Sequence, residues 1–186
     1  MMRAIVNTAG GQKNAPPEAL QVGQVAIPER KQDEVLVRVE ATAVNRADIL
    51  QRQGKYPPLP GVTEIIGLEC AGEIVDWDSL EPTGEKVMAL LPGGGYAQYA
   101  SVRRDHCVPQ LASGLVDSAG FPEVWCTAYQ LVKWVAQVES QPVTQKRALV
   151  HACASGVGTT LVQLLAHEGI EVIGSCSGTK ADQVKA

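Results

Sequence analysis

The stretch that most constrains this chain is 147–163, RALVHACASGVGTTLVQ. An apolar run at 148–152 meets the small residues Cys153-Ala154-Ser155-Gly156-Val157-Gly158, and 159–166 then carries apolar side chains at helical spacing. That order predicts a strand, a tight turn and a helix. Such a turn aims backbone N–H groups and the positive end of the helix dipole at one point, and small residues let an anion come close. A pyrophosphate is the ligand such a turn suits. Measured against the Gly-x-Gly-x-x-Gly fingerprint, Cys153 and Ser155 take the first two glycine positions and only Gly158 keeps the third. An ordinary strand-to-helix turn fits the same residues, so the rest of the chain has to decide.

Downstream, Gly169 ends the helix and 170–175 reads as a second strand, followed by Cys176-Ser177-Gly178-Thr179-Lys180 and the start of another helix. Strand, helix and strand in so few residues imply a parallel, right-handed crossover. Upstream the pattern differs. Val35, Val37, Val39 and Ala41 alternate with Leu36, Arg38, Glu40 and Thr42, the period of a half-buried antiparallel strand. Shorter strands are expected at 3–7, 20–27, 72–77, 85–91 and 96–102, with a turn at Pro82-Thr83-Gly84. Asn45 caps a helix through Ala47, Ile49 and Leu50 that Gly54 closes, and the proline-rich 55–61 is a loop. These elements make a sheet-rich first unit consistent with a closed or partly rolled barrel. Pro122 then opens a helix whose apolar face holds Val124, Thr127, Ala128, Leu131 and Val135, and the polar stretch 137–146 leads to the central strand. The domains expected are therefore 1–121 and 122–186.

A net charge of −4 with scattered Lys and Arg gives no electrostatic reason to bind nucleic acid or acidic lipid. The apolar runs are far shorter than a membrane span needs, and no signal-peptide core follows Met1, so a cytoplasmic location is expected. The five cysteines are widely spaced with no Cys-x-x-Cys pair, which reads as reduced and mostly buried thiols. His106, His151 and His167 lack the local spacing of a zinc motif.

Four segments carry a family resemblance: EVLVRVEATAVNRADILQRQGKY at 34–56, GLECAGEIV at 67–75, GEKVMALLPGGGYAQY at 84–99 and PEVWCTAYQLV at 122–132. In that order they resemble the zinc-free quinone oxidoreductases of the medium-chain dehydrogenase/reductase superfamily, most nearly the tumour-suppressor-inducible type. The resemblance implies an α/β plus β fold: a GroES-like, β-rich barrel domain followed by the start of a Rossmann-type, doubly wound domain. It also implies NADPH as cofactor, a quinone or similar conjugated carbonyl as substrate, and a homodimer for the full-length family. Zinc-dependent relatives place a cysteine near the start of the helix that here begins Asn45-Arg46-Ala47-Asp48, and a histidine within the motif that here reads Gly67-Leu68-Glu69. Neither ligand is present, and a catalytic zinc usually needs three protein ligands, so no metal is expected.

By the same resemblance, Asn45 and Tyr56 line the nicotinamide and substrate cleft, with Tyr56 a candidate proton donor, and Thr127 sits beside the nicotinamide ribose or carboxamide. Gly156, Val157 and Gly158 meet the pyrophosphate through their backbone, while the Ser155 hydroxyl bonds either the cofactor or its own turn. Each has a plainer reading: a helix cap for Asn45, a loop aromatic on Pro57 and Pro58 for Tyr56, a self-bonded helix residue for Thr127. An NAD enzyme carries an Asp or Glu roughly 20 residues past the glycine turn. Here Cys176 stands there, with Ser177 next and Lys180 close by, which favours the 2′-phosphate of NADPH; a solvated lysine at a helix start is the plainer alternative. Asp48 and Glu69 read as structural. A doubly wound domain needs more strands than these two, so the expectation is a truncated nucleotide domain whose partners or missing segments cover Leu149 and Val150. The alternative function is a non-catalytic remnant serving as a binding or interaction module.

Overall fold

The computed structural model describes residues 1–140 and 147–185. The chain divides into two compact units, Met1–Glu123 and Val124–Ala186. Most of the polar stretch before the central strand, 141–146, lies outside the described residues.

In the first unit, β1 (Met2–Asn7) pairs antiparallel with β2 (Leu20–Val25). A five-stranded antiparallel sheet follows, in the order β6-β3-β4-β5-β7. Its strands are β3 (Glu34–Ala41), β4 (Glu69–Val75), β5 (Pro82–Leu90), β6 (Tyr99–Arg103) and β7 (Cys107–Pro109). On β3 the alternation sends Val37 into a core with Cys70, Ile74, Val87, Ala89, Leu91, Ala100 and Val102, and Val35 and Val39 pack on its margin. Leu36, read as facing outward, is buried too, and helix α2 (Leu115–Ala119) packs on the sheet with Ala119 beside Ala71 and Met88. Burial in that core pushes the Cys70 thiol up to about 12, so it packs as a neutral side chain.

The strands do not close into a barrel. Among the described residues the β1–β2 hairpin pairs with the rest of the unit as a strand only at one isolated bridge, Ala4 to Ala97, and the Arg3 N–H goes to the Gln98 side chain at 2.7 Å, where a continued ladder needs a main-chain acceptor. At the other edge β7 is three residues long and ends on Pro109, which has no N–H to offer a further strand. The turn expected at 82–84 lies upstream. Asp76 Oδ1 accepts from the N–H groups of Asp78 and Ser79 at 3.1 and 2.9 Å, a local side-chain turn that leaves Pro82 free to begin β5 opposite Val75.

In the second unit, β8 (Arg147–His151) and β9 (Glu171–Ser175) pair in parallel, joined by helix α4 (Gly156–His167). Val150, Cys153, Leu165, Ile170 and Val132 form the core. Val150, expected to lack cover, is buried there, whereas Leu149 and Ile173 are exposed. Of the cysteines expected to be mostly buried, Cys70 and Cys153 are, Cys107 is half-buried, and Cys126 and Cys176 are exposed.

Helix α3 (Pro122–Tyr129) keeps the predicted start at Pro122 and the first part of the predicted apolar face, with Ala128 buried and Val124 and Thr127 half-buried, but not its last two positions. It runs on into π-helical turns over Gln130–Val135, where the wider turn changes which side chains face inward. Val132 is 2% exposed, while Val135, placed on the core face by 3.6-residue spacing, is 74% exposed, and Leu131 also faces outward. Val132→Ala should therefore lower stability by about 2 kcal/mol, and Val135→Ala should stay within about 0.5 kcal/mol of wild type in urea unfolding. Equal losses would restore the regular helical register.

Candidate functional site

Two groups of chemistry-bearing residues stand out, one in each unit. The first gathers at the start of helix α1 (Arg46–Arg52), for which Asn45 is the N-cap residue. The Asp48 side chain returns to the Asn45 N–H at 2.8 Å, which satisfies a helix-entry donor. The Asn45 amide is thereby turned toward the sheet, where its Nδ2 donates to Glu69 Oε1 at 2.7 Å. Glu69 Oε2 accepts the N–H of Glu123 at 2.9 Å, and the Thr42 hydroxyl donates to the Glu69 carbonyl at 2.7 Å. Tyr96 completes the cluster by donating its hydroxyl to Asp48 Oδ2 at 3.0 Å.

Glu69 and Asp48 are only 1% and 2% exposed, so these bonds replace water around two carboxylates. Burial raises the Glu69 pKa above its ordinary 4.5, the Glu123 N–H and Asn45 amide oppose that rise, and the Glu123 and Asp48 carboxylates add to it. Burial, and then Asp48 beside it, raises the Tyr96 phenol too, so it stays protonated and donates. Asp48 Oδ1 has no hydrogen-bond partner among the described residues. Tyr96 reaches Asp48 because Gly67, at φ +109, carries no side chain; a Cβ there would fall 2.6 Å from the Tyr96 ring. The sequence pattern shows Tyr96 only as the opening of a strand, although the glycines at 93–95 flag a tight approach.

Tyr56 lies in the loop after α1 and is 50% exposed, with no hydrogen bond to Asn45. Among the described residues, no three His, Cys, Asp or Glu side chains are grouped to hold a metal ion.

The second group is the turn between β8 and α4. Ser155 is the N-cap of α4, and its Oγ accepts the Gly158 N–H at 3.0 Å, so the hydroxyl bonds within its own turn. The Gly158 N–H is consequently occupied. Gly158 has a packing role instead: a Cβ there would fall 2.2 Å from the Ala152 carbonyl oxygen, so only glycine lets the helix start this close to the strand. The Gly156 and Val157 N–H groups, in the first turn of a twelve-residue helix with no acidic residue in that turn, have no partner among the described residues. Cys153 N–H bonds the Ser175 carbonyl at 3.0 Å, which sets the end of β9 beside the turn. Ser177 and Lys180 follow there, both exposed, on a short 3₁₀ turn over Gly178–Lys180 closed by the Lys180 N–H to the Ser177 carbonyl at 2.9 Å. Thr127 lies on α3, one helical turn beyond Val124, whose Cγ1 lies 3.1 Å from where a Gly156 Cβ would stand.

The raised Glu69 pKa has a definite sign in stability. Between 4.5 and its folded value the native state holds more protons than the unfolded chain, so stability falls as pH rises through that window. Glu69→Gln should flatten this part of the profile in denaturant midpoints measured from pH 4.5 upward; an unchanged slope would remove Glu69 as its source.

Residues 31–113 match the alcohol dehydrogenase GroES-like domain. The quinone oxidoreductase of Lama guanicoe is 32% identical over 197 residues, covering 98% of this chain and 54% of its own length. The chloroplastic quinone-oxidoreductase homolog of Spinacia oleracea is 30% identical over 186 residues, covering 90% of this chain and 54% of its own. The quinone oxidoreductase from Thermus thermophilus, solved also in complex with NADPH, superposes with a TM-score of 0.73 at 29% identity over 93% of this chain and 52% of that one. The chain thus spans about half the length of the relatives it matches. With its GroES-like domain and the beginning of a Rossmann-like unit, it is similar over nearly its whole length to the N-terminal part of quinone oxidoreductases.

Proposed function

We propose that this chain is the N-terminal part of an NADPH-dependent, zinc-independent quinone oxidoreductase of the cytoplasm. The observation that carries the reading is the turn before α4. Gly158 packs on the Ala152 carbonyl, and the Gly156 and Val157 N–H groups at the helix start have no partner among the described residues, which suits a pyrophosphate. Ser155 holds that turn in shape through Gly158, and Gly158 keeps it narrow. When bound, NADPH supplies a hydride from C4 of its nicotinamide to a quinone or similar conjugated carbonyl.

The remaining assignments rest on the family motifs. Ser177 and Lys180 take the 2′-phosphate, Thr127 adjoins the nicotinamide ribose or carboxamide, and Asn45 and Tyr56 line the substrate cleft. Asn45 is held for this by Glu69 and by its own N–H on Asp48. Tyr56, half in solvent, is the proposed proton donor, and water serves the second quinol oxygen. Zinc independence is supported by the donors at α1, which are amide, carboxylate and phenol where a catalytic zinc usually takes thiolate or imidazole. The carboxylates gathered there favour a neutral acceptor over an anionic one. A homodimer through segments like those of the longer relatives is part of the proposal. No helix of the described residues is long and apolar enough to cross a membrane.

NADPH fluorescence titration of the 186-residue chain, with and without a quinone, tests the reading: saturable binding and quinone-dependent oxidation are expected. Absence of binding would favour a non-catalytic binding module. Lys180→Ala should weaken NADPH by about tenfold through loss of a charge-assisted hydrogen bond and leave NADH nearly unchanged. Equal weakening of both cofactors would remove the 2′-phosphate assignment.

A further inference from the structure

Cys153 and Cys176 are far apart along the chain, yet the parallel pairing of β8 with β9 brings them together. Register places His151 beside Ser175, and the Cys153 N–H bonds the Ser175 carbonyl at 3.0 Å, next to the Cys176 amide. The two side chains lie close enough to interact electrostatically. Their exposure is opposite: Cys153 is buried under α4 against Gly174, and Cys176 is open to solvent. A Cβ on Gly174 would fall 2.6 Å from Cys153 Sγ, so the glycine there makes the room in which that thiol sits.

We propose that Cys153 and Cys176 form a peroxide-sensitive dithiol at the mouth of the nucleotide turn. The chemistry is a two-step exchange. The exposed Cys176 sulfur attacks a hydroperoxide, breaking the O–O bond to give a sulfenic acid and releasing the alcohol, or water when the oxidant is hydrogen peroxide. The Cys153 sulfur then attacks the Cys176 sulfur, forming the S–S bond and expelling water. Two thiols lose two protons and two electrons, and one hydroperoxide is reduced. The division of roles follows from burial. Cys153 is buried out of reach of solvent oxidant, whereas Cys176 is exposed to it, so Cys153 serves as the resolving partner.

The bond ties the residue that opens the turn to the residue that follows β9. On the proposed function, those are the two places where the pyrophosphate and the 2′-phosphate lie, so the disulfide locks the turn and displaces Ser177 and Lys180 from the cofactor. This consequence rests on that reading; the disulfide itself does not.

Equimolar hydrogen peroxide added to the reduced 186-residue chain, followed by intact mass and peptide mapping, tests the pair. The expected result is a loss of two hydrogens with a peptide joining Cys153 to Cys176, absent in Cys176→Ser and in Cys153→Ala and reversed by dithiothreitol. In parallel, NADPH affinity should fall at least about tenfold on oxidation and return on reduction. Oxygen addition at Cys176 with Cys153 left free, or no change in mass, overturns the dithiol. Disulfide formation with unchanged NADPH affinity overturns the lock. A reduced chain that does not bind NADPH defeats the proposed function instead, and the mass result still decides the dithiol.

Discussion

A carboxylate sealed from water has to be answered by donors, and in the first unit that requirement falls on Glu69. Each of its oxygens is met, one by the Asn45 amide and one by the Glu123 N–H, while Thr42 takes its carbonyl. Those partners come from the start of α1, from the end of the first unit and from the segment just after β3. One buried residue therefore pins three segments that the sheet alone would leave independent, two through its carboxylate and one through its main-chain carbonyl. Removing either donor strands an acceptor in a site that excludes water, which costs more than the bond itself is worth when formed. Asn45 gains its orientation the same way. Its cap function passes to Asp48, which is free to serve because Tyr96 holds the carboxylate in place.

The second unit answers a different constraint. Strand β8 and helix α4 approach so closely at Ala152 and Gly158 that no side chain fits, and the chain reverses there with Ala152 itself at a positive φ of 52. Main-chain N–H groups left at a helix start attract negative charge because nothing in the helix satisfies them. Ser155 accepts one of them, which stabilises the turn and leaves its neighbours available. A hydroxyl in place of the usual second glycine thus strengthens the turn without filling it.

Legibility followed from how local the cause was. The β1–β2 hairpin, the alternation on β3, α1 with its closing Gly54, and the strand, turn and helix at 147–167 depend on neighbours a few residues away, and the sequence pattern carries them. The open sheet was hidden because barrel closure depends on whether edges separated by the whole unit find each other, and a side-chain acceptor and a proline stand at those edges. The face of α3 was misread at Leu131 and Val135 because a π turn leaves no mark on spacing that assumes 3.6 residues. Asp76 displaced the turn expected at Pro82 since its carboxylate offers two backbone donors a partner that proline and glycine cannot. Tyr96 and the Cys153–Cys176 pair were invisible for a stricter reason: each contact joins residues brought together only by tertiary pairing.

The two groups also divide the electrostatics. Around α1 the hydrogen-bond donors are spent on carboxylates, and an arriving anion would meet Asp48, Glu69 and Glu123 with little left to hold it. At the turn before α4 the balance reverses, with N–H groups unpaired among the described residues, no acidic residue in the first helical turn and Lys180 beyond the neighbouring strand. Each unit thus sets its own preference: the cluster at α1 disfavours an anion, and the turn before α4 favours one.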